Sequence, residues 1–262
     1  MEARPCVVCG TQTEVIEIGC EVKPYVGKRQ PGLFCPLCGM LQFPENTEDY
    51  VKVVETDASE SGLKDLRNAT DERPGREFHM AQMALEILNR PDITISFFGA
   101  GLNTDWKWVQ KVHPEVGTKL VDLRNLQGHP RYESITEAKP SDIIIASEVI
   151  EHFERPVEHF ESLFRLLKDD SLLICSTNVY DGTDIGKHVY PFVPGHVAYW
   201  TPMALLKVAA SAGLFVDFRT PEIALSRAGP RKKYVLFYRS AEMAYRVALY
   251  FGTHMFAPSE QR

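Results

Sequence analysis

A chain of 262 residues with 44% apolar residues has room for one full α/β domain and a small appendage, and its composition is that of a globular protein. The formal net charge of −6 argues against a broad nucleic-acid surface, which would be basic. No apolar stretch approaches the length of a membrane-spanning helix, and with no export signal a reducing, cytoplasmic location is the expectation.

The first fifty residues carry two knuckles, Cys6-Val7-Val8-Cys9-Gly10 and Cys35-Pro36-Leu37-Cys38-Gly39. Two CxxC pairs on tight turns supply four thiolates, the donor set of a closed tetrahedral zinc site. Such a site is structural, so no catalysis is assigned to it. The gap between the pairs is long, but a hairpin fits: Val15–Ile18 and Leu33-Phe34 read as strands around a turn rich in Gly, Pro and Lys. The expectation is a zinc ribbon with Cys6, Cys9, Cys35 and Cys38 as ligands. Cys20 reads as a ribbon residue or a spare ligand, and Cys175 as a buried hydrophobe.

Residues 46 to 75 are polar and aperiodic, which predicts a linker and capping segment. Helical spacing follows from Phe78 to Leu88, ending near Pro91. Asp92–Phe98 is a β-rich run stopped by Gly99-Ala100-Gly101. A helix is predicted from Thr104 to His113 and a strand from Thr118 to Val121, ended by Asp122. The next strand is Asp142–Ala146. A helix carries Val157 to Leu167, and an Asp-Asp turn precedes the strand Leu172–Ser176. A long loop rich in Gly, His and Tyr runs from Asn178 to Trp200. Thr201-Pro202 opens a helix as N-cap and first turn, and Gly213 ends it. Phe215–Phe218 and Tyr234–Tyr238 close the body as strands. Arg231-Lys232-Lys233 reads as a solvated turn before the last strand. Alternating strands and helices imply a doubly wound α/β fold with a parallel sheet.

In such sheets ligands bind at the carboxyl ends of the strands. Three features fall there. Gly99-Ala100-Gly101-Leu102-Asn103 lets the backbone approach a ligand closely and ends at a helix N-terminus with unpaired N–H groups. Asp122 can accept both hydroxyls of a ribose, or serve only as a surface or capping acid. Ser147-Glu148-Val149-Ile150-Glu151-His152 follows the strand Asp142–Ala146.

That last stretch, from Asp142 through Phe153, resembles the fourth-strand signature of class I S-adenosylmethionine-dependent methyltransferases. Leu173–Asn178 is similar to their fifth strand, and Gly195–Pro202 with Leu205-Leu206 and Ala212-Gly213-Leu214 to the following loop and helix. The knuckles resemble those on a subset of the family, and the similarity runs from Phe78 to Tyr238 plus the ribbon. It implies a Rossmann-like seven-stranded sheet and S-adenosylmethionine as cofactor. By the same resemblance Phe98, Gly99, Ala100, Gly101 and Asn103 cradle the methionine portion, Asp122 holds the ribose, Leu123 lies by the adenine, and Ser147 and Glu148 line the floor. The family's acid before the first glycine is absent, since Phe97-Phe98 stands there, and Asn103 replaces the third glycine. Asn tolerates left-handed backbone, and Asp105 is a candidate substitute for the missing acid.

Histidine titrates near neutrality, so His152, His188 and His196 are the candidate bases. His152 stands at the acceptor end, and the other two lie in the long loop; a structural role for each stays open. The expected organisation is a ribbon over residues 1–45, a linker and capping segment over 46–77, the methyltransferase domain over 78–240, and a C-terminal helix and tail over 241–262. The expected partner is a small-molecule methyl acceptor, most simply a hydroxyl of a sugar, glycan precursor or related metabolite. The alternatives are an RNA-base methyltransferase, against which stand the net charge and the lack of an Asn-Pro-Pro-Tyr type motif, and a non-catalytic zinc-ribbon adaptor. The sequence leaves open whether the chain forms a homo-oligomer.

Overall fold

The computed structural model describes residues 1–47, 69–220 and 231–252. Most of the expected linker and the tail beyond Gly252 therefore lie outside the described residues. Among the described residues no helix is long and apolar enough to cross a membrane.

The N-terminal module contains β1 (Glu14–Gly19), β2 (Arg29–Phe34) and β3 (Leu41–Gln42), antiparallel in that order. The body follows with α1 (Arg76–Leu88), β4 (Thr94–Phe98), α2 (Asp105–Val112), β5 (Gly117–Asp122), β6 (Tyr132–Ser134), β7 (Ser141–Ser147), α3 (Pro156–Phe164) and β8 (Leu167–Asn178). It closes with β9 (Ala198–Tyr199), α4 (Pro202–Ser211), β10 (Phe215–Arg219), β11 (Lys232–Tyr238) and α5 (Ala241–Tyr250).

The main sheet has seven strands in the order β10-β11-β8-β7-β4-β5-β6. The five from β8 to β6 are parallel, and β11 runs against both of its neighbours. Every residue of β7 is buried, as a central strand covered on both faces requires. Successive side chains point to opposite faces. Ile143 and Ile145 accordingly pack with Met80, Ala84 and Leu88 of α1, Val109 of α2 and Met243 and Val247 of α5. Ile144 and Ala146 belong to the opposite layer, with Phe160, Leu163 and Phe164 of α3 and Ala204, Leu205 and Val208 of α4.

The ribbon belongs to that second layer. Cys6, Cys35, Cys38 and Met40 share its core with Trp200. Its sheet takes a fourth strand from the body, in the order β1-β2-β3-β9. A second small core joins Ile18, Leu41 and Phe43 of the ribbon to Tyr190, Phe192 and Tyr199. The long loop thus consists of two short 3-10 turns, Ile185–Lys187 and Tyr190–Phe192, and a strand that the ribbon pairs.

Several boundaries differ from the sequence reading, and three of them have a visible cause. Helix α1 starts at Arg76, two residues early, because Asp105 from the neighbouring helix caps it. Its carboxylate accepts the Gly75 and Glu77 N–H groups at 2.6 and 3.0 Å, so the cap is supplied in space and not in sequence. Helix α3 stops at Phe164, and β8 begins at Leu167 in place of the expected Asp-Asp turn. There Leu167 pairs with Ser141, and the Lys168 ammonium reaches Asp142 at 2.8 Å, which holds the polar stretch extended.

Candidate active site

The four knuckle sulfurs converge. Cys6 and Cys38 Sγ lie 3.7 Å apart, Cys9 and Cys35 Sγ 3.4 Å, and all four fall within 4.8 Å of one another. A zinc ion about 2.3 Å from each sulfur of a tetrahedron sets them about 3.8 Å apart, so the cluster fits. None of the six cysteines is in a disulfide. In each knuckle the glycine N–H returns to the first cysteine carbonyl, Gly10 to Cys6 at 2.9 Å and Gly39 to Cys35 at 2.8 Å. Gly39 has φ +71°, and a Cβ there would meet Thr201 Cγ2 at 3.1 Å, so the second knuckle sits directly on the start of α4. Thr201 also donates its hydroxyl to the Cys38 carbonyl. Cys20 stands apart, its Sγ on the Val22 carbonyl, and Cys175 is fully buried in the main core.

At the carboxyl ends of β4, β5 and β7 lies a cavity of about 400 Å³. Phe98, Gly99, Gly101, Asp122, Leu123, Glu148 and His152 line it. Gly99 has φ +64°, and a Cβ there would stand 2.8 Å from Val149 Cγ2, so no larger residue fits against the turn after β7. Asp122 accepts the Gly101 N–H at 2.9 Å and the Leu123 N–H at 2.6 Å, fixing the glycine turn to β5. Each carboxylate oxygen has a second acceptor site, available to a pair of hydroxyls. Burial raises the Asp122 carboxyl above the ordinary range. Gln127 ties the same turn from the other side, donating to the Gly101 and Asn103 carbonyls at 2.9 and 2.8 Å.

Other expected cofactor residues stand behind that lining. Ala100 is buried in the core, and Ser147 is buried with its hydroxyl unpartnered among the described residues. Asn103 does not adopt left-handed backbone. Its side chain serves the start of α2 instead, donating to Asp105 at 3.0 Å and accepting the Asp105 N–H at 3.3 Å. Asp105 is committed to the N-terminus of α1. Burial raises its carboxyl despite these hydrogen bonds. Beside it Glu77 is also buried, and desolvation, then the Asp105 charge, pushes its carboxyl up to about 8.

At the turn after β7, Glu148 adopts φ +55°, a left-handed conformation rare for a residue of its kind. Its Oε1 accepts from Ser176 at 3.3 Å and faces the Arg76 guanidinium at 3.4 Å and the Lys232 ammonium. The basic cluster is therefore not a solvated turn: Lys232 and Lys233 belong to β11 itself. Lys232 is only 3% exposed, and burial lowers its pKa. Arg76 and Lys232 were not legible as site residues, since neither lies near a motif in sequence.

Glu151 is fully buried. Its carboxylate accepts from Tyr190 at 2.7 Å and Thr177 at 3.3 Å, and burial, then the Glu148 charge, raises its pKa. His152 holds Nδ1 2.9 Å from the Gly195 carbonyl, and His196 holds Nδ1 2.8 Å from the Tyr190 carbonyl. The two rings are 4.9 Å apart between centroids. Desolvation, then the nearby His152, pushes His196 down to about 3, so it is neutral at physiological pH. The fold thus joins His152 and His196 with Glu151. His188 is held elsewhere: its Nδ1 lies 3.0 Å from the Tyr199 hydroxyl and its Nε2 2.8 Å from Thr183 Oγ1, and it does not line the cavity. His159 does line it from α3, a position that looked only like part of an amphipathic helix. Trp106 and Trp108 bond Gln127 and the Thr70 carbonyl as packing residues.

A family profile described as a methyltransferase domain matches residues 9–217. The chain belongs to that family. It is an S-adenosylmethionine-dependent methyltransferase. No curated protein matches it. Among solved structures, the carbon methyltransferase CurJ aligns with TM-score 0.52 at 13% identity over 74% of this chain and 62% of that one. The plantazolicin methyltransferase BpumL, in complex with a pentazolic desmethylPZN analog and S-adenosylhomocysteine, gives 0.51 at 11% over 74% and 92%. A methyltransferase in complex with the Haloferax volcanii Trm112 methyltransferase activator gives 0.50 at 14% over 74% and 99%. At these identities the likeness is one of fold.

The methyltransferase has a cavity that fits the cofactor on its own geometry. The cradle at Gly99 excludes a side chain, the paired acceptor Asp122 stands at the end of β5, and the volume suits a small ligand.

Proposed function

We propose that this methyltransferase acts on a hydroxyl of a polar small molecule, a sugar, glycan precursor or related metabolite. The observation that carries the reading is that His152, with its ring set by the Gly195 carbonyl, lines the same cavity as Gly99 and Asp122. In this reading the turn Phe98 to Asn103 holds the methionine portion, Asp122 holds the ribose, Leu123 lies along the adenine, and Ser147 and Glu148 form the floor. A neighbour of like fold is in complex with S-adenosylhomocysteine, which supports this choice of cofactor. When bound, the cofactor supplies an electrophilic methyl carbon on a sulfonium. The protein aligns the acceptor oxygen with that carbon and helps its proton leave, both of which are tasks of position. His152, with neutral His196 behind it, is placed to act on the hydroxyl. A net charge of −6 and the engagement of Arg76 and Lys232 with Glu148 favour a small polar acceptor over a polyanion.

The test is calorimetric titration of the full chain with S-adenosylmethionine and S-adenosylhomocysteine, then a screen of sugars and their phosphate and nucleotide derivatives for S-adenosylhomocysteine release. Micromolar binding with release on a hydroxylated acceptor supports the reading. No binding at millimolar cofactor refutes it and favours the adaptor, consistent with Phe97 at the family's acidic position. Salt-sensitive RNA binding with transfer to RNA refutes the small-molecule acceptor.

A further inference from the structure

One carboxylate and two imidazoles come together at the acceptor end of the cavity. Glu151, His152 and His196 each offer a ligand atom, and these atoms lie within 4.8 Å of one another. They come from two segments, the short turn after β7 and the end of the long loop. The two are joined where the Val197 N–H donates to the Glu151 carbonyl at 3.0 Å, and Asn46, just after the ribbon, holds the loop by donating its amide to the His196 carbonyl at 3.1 Å.

The surroundings of each group have the character of an outer coordination shell. A backbone carbonyl can only accept a hydrogen bond. His152 facing the Gly195 carbonyl and His196 facing the Tyr190 carbonyl therefore carry a proton on Nδ1, which makes Nε2 the ring position through which each would bind a cation. The Glu151 carboxylate is oriented in turn by the Tyr190 and Thr177 hydroxyls. Tyr190 thus fixes two of the three groups, one through its hydroxyl and one through its carbonyl. The hydrogen-bond donors to the Glu151 carboxylate are hydroxyls, and the Lys232 ammonium is engaged by Glu148. A buried carboxyl group beside two imidazoles is a donor set suited to a divalent cation.

We propose that Glu151, His152 and His196 form a binding site for one divalent first-row transition cation, which holds an oxygen of the methyl acceptor. Two imidazoles and one carboxylate leave coordination positions open, and His152 lines the cavity, so an acceptor oxygen can reach them. The inference rests on the proposed function and changes the work of the two histidines from proton acceptors to ligands. A hydroxyl bound to such a cation loses its proton more readily, here to water in the cavity.

Binding of Mn²⁺ and of Co²⁺ to the full chain tests this, with Mn²⁺ followed by its paramagnetic resonance and Co²⁺ by its visible absorption. Mn²⁺ avoids thiolate sites, and cobalt bound to the four knuckle sulfurs has its own charge-transfer band. The expected result is one ion per chain outside the knuckles, with affinity lowered at least tenfold in His196→Ala and in Glu151→Gln and unchanged in His188→Ala. Knuckle zinc content and S-adenosylhomocysteine affinity, measured on every variant, report an intact fold. His152→Ala, at a partly exposed position, serves if His196→Ala does not fold. Failure of both ions to bind at millimolar concentration, or equal binding by wild type and the triad variants, overturns the inference. If S-adenosylhomocysteine still binds and methyl transfer survives a chelator, the proposed function stands without the cation. If S-adenosylhomocysteine does not bind, it is the proposed function that fails.

Discussion

Replacing Glu77 by Gln should flatten a pH dependence that the fold builds in. Glu77 is buried beside Asp105, and its Oε2 has no hydrogen-bond partner among the described residues. Its carboxyl is raised from 4.5 to about 8, first by desolvation and then by the Asp105 charge. For an acid whose folded value is raised, the folded state holds a proton that the unfolded chain has released. Stability from this group therefore falls as pH rises from about 4.5 to about 8, and is level outside that window. At about 1.4 kcal/mol for each tenfold change in proton affinity, the whole displacement corresponds to about 5 kcal/mol, an upper figure because local relaxation offsets part of it. Glutamine has nearly the same shape and no charge at any pH. Denaturant unfolding of both proteins from pH 5 to pH 8.5 should show near-equal stability at the acid end and an advantage for the variant of about 2–5 kcal/mol at the alkaline end. A constant difference across the range would mean that Glu77 is ionised throughout, and the argument from burial would be wrong.

Cys35→Ser should release zinc and lower the stability of the ribbon, because metal-binding energy there is folding energy; metal analysis and thermal unfolding check it. Stoichiometric zinc in the variant would exclude the four-thiolate site. On the proposed placement of the ribose, Asp122→Ala should weaken S-adenosylhomocysteine binding by about 1–3 kcal/mol through loss of that acceptor and of the anchor for Gly101, read by calorimetry. Gly99→Ala should cost about 1–3 kcal/mol of stability and reduce cofactor affinity, since its Cβ meets Val149 at 2.8 Å in left-handed backbone. An unchanged unfolding midpoint would show that the turn can move away.

The elements most legible in the sequence were those whose signal is local. Ile143–Ala146 is a continuous apolar run, Thr201-Pro202 caps its own helix, and each CxxCG turn is self-contained, so these fell where expected. What escaped was what the chain borrows from a distance. The N-terminal boundary of α1 depends on Asp105, and the conformation at Glu148 on Lys232 and Arg76. His188 and His196 looked equivalent in the long loop, eight positions apart in a run of aromatics. Tyr199 and Thr183 hold the first, while the Tyr190 carbonyl turns the second toward His152. Two-residue strands such as β3 and β9 leave no periodicity to read, because β9 is defined by its pairing with β3, and β3 by its pairing with β2 and β9.

That pairing also dictates when the N-terminal module can be finished. As the chain emerges during synthesis, β1 and β2 can form their hairpin at once and the knuckles can take up metal. The outer edge of β3 stays bare until Ala198 and Tyr199 appear, after most of the body has been made. A bare edge is a template for pairing with another chain. The ribbon therefore leaves the ribosome well before it can be sealed, and chains cut short before residue 198 would carry that exposed edge into aggregates.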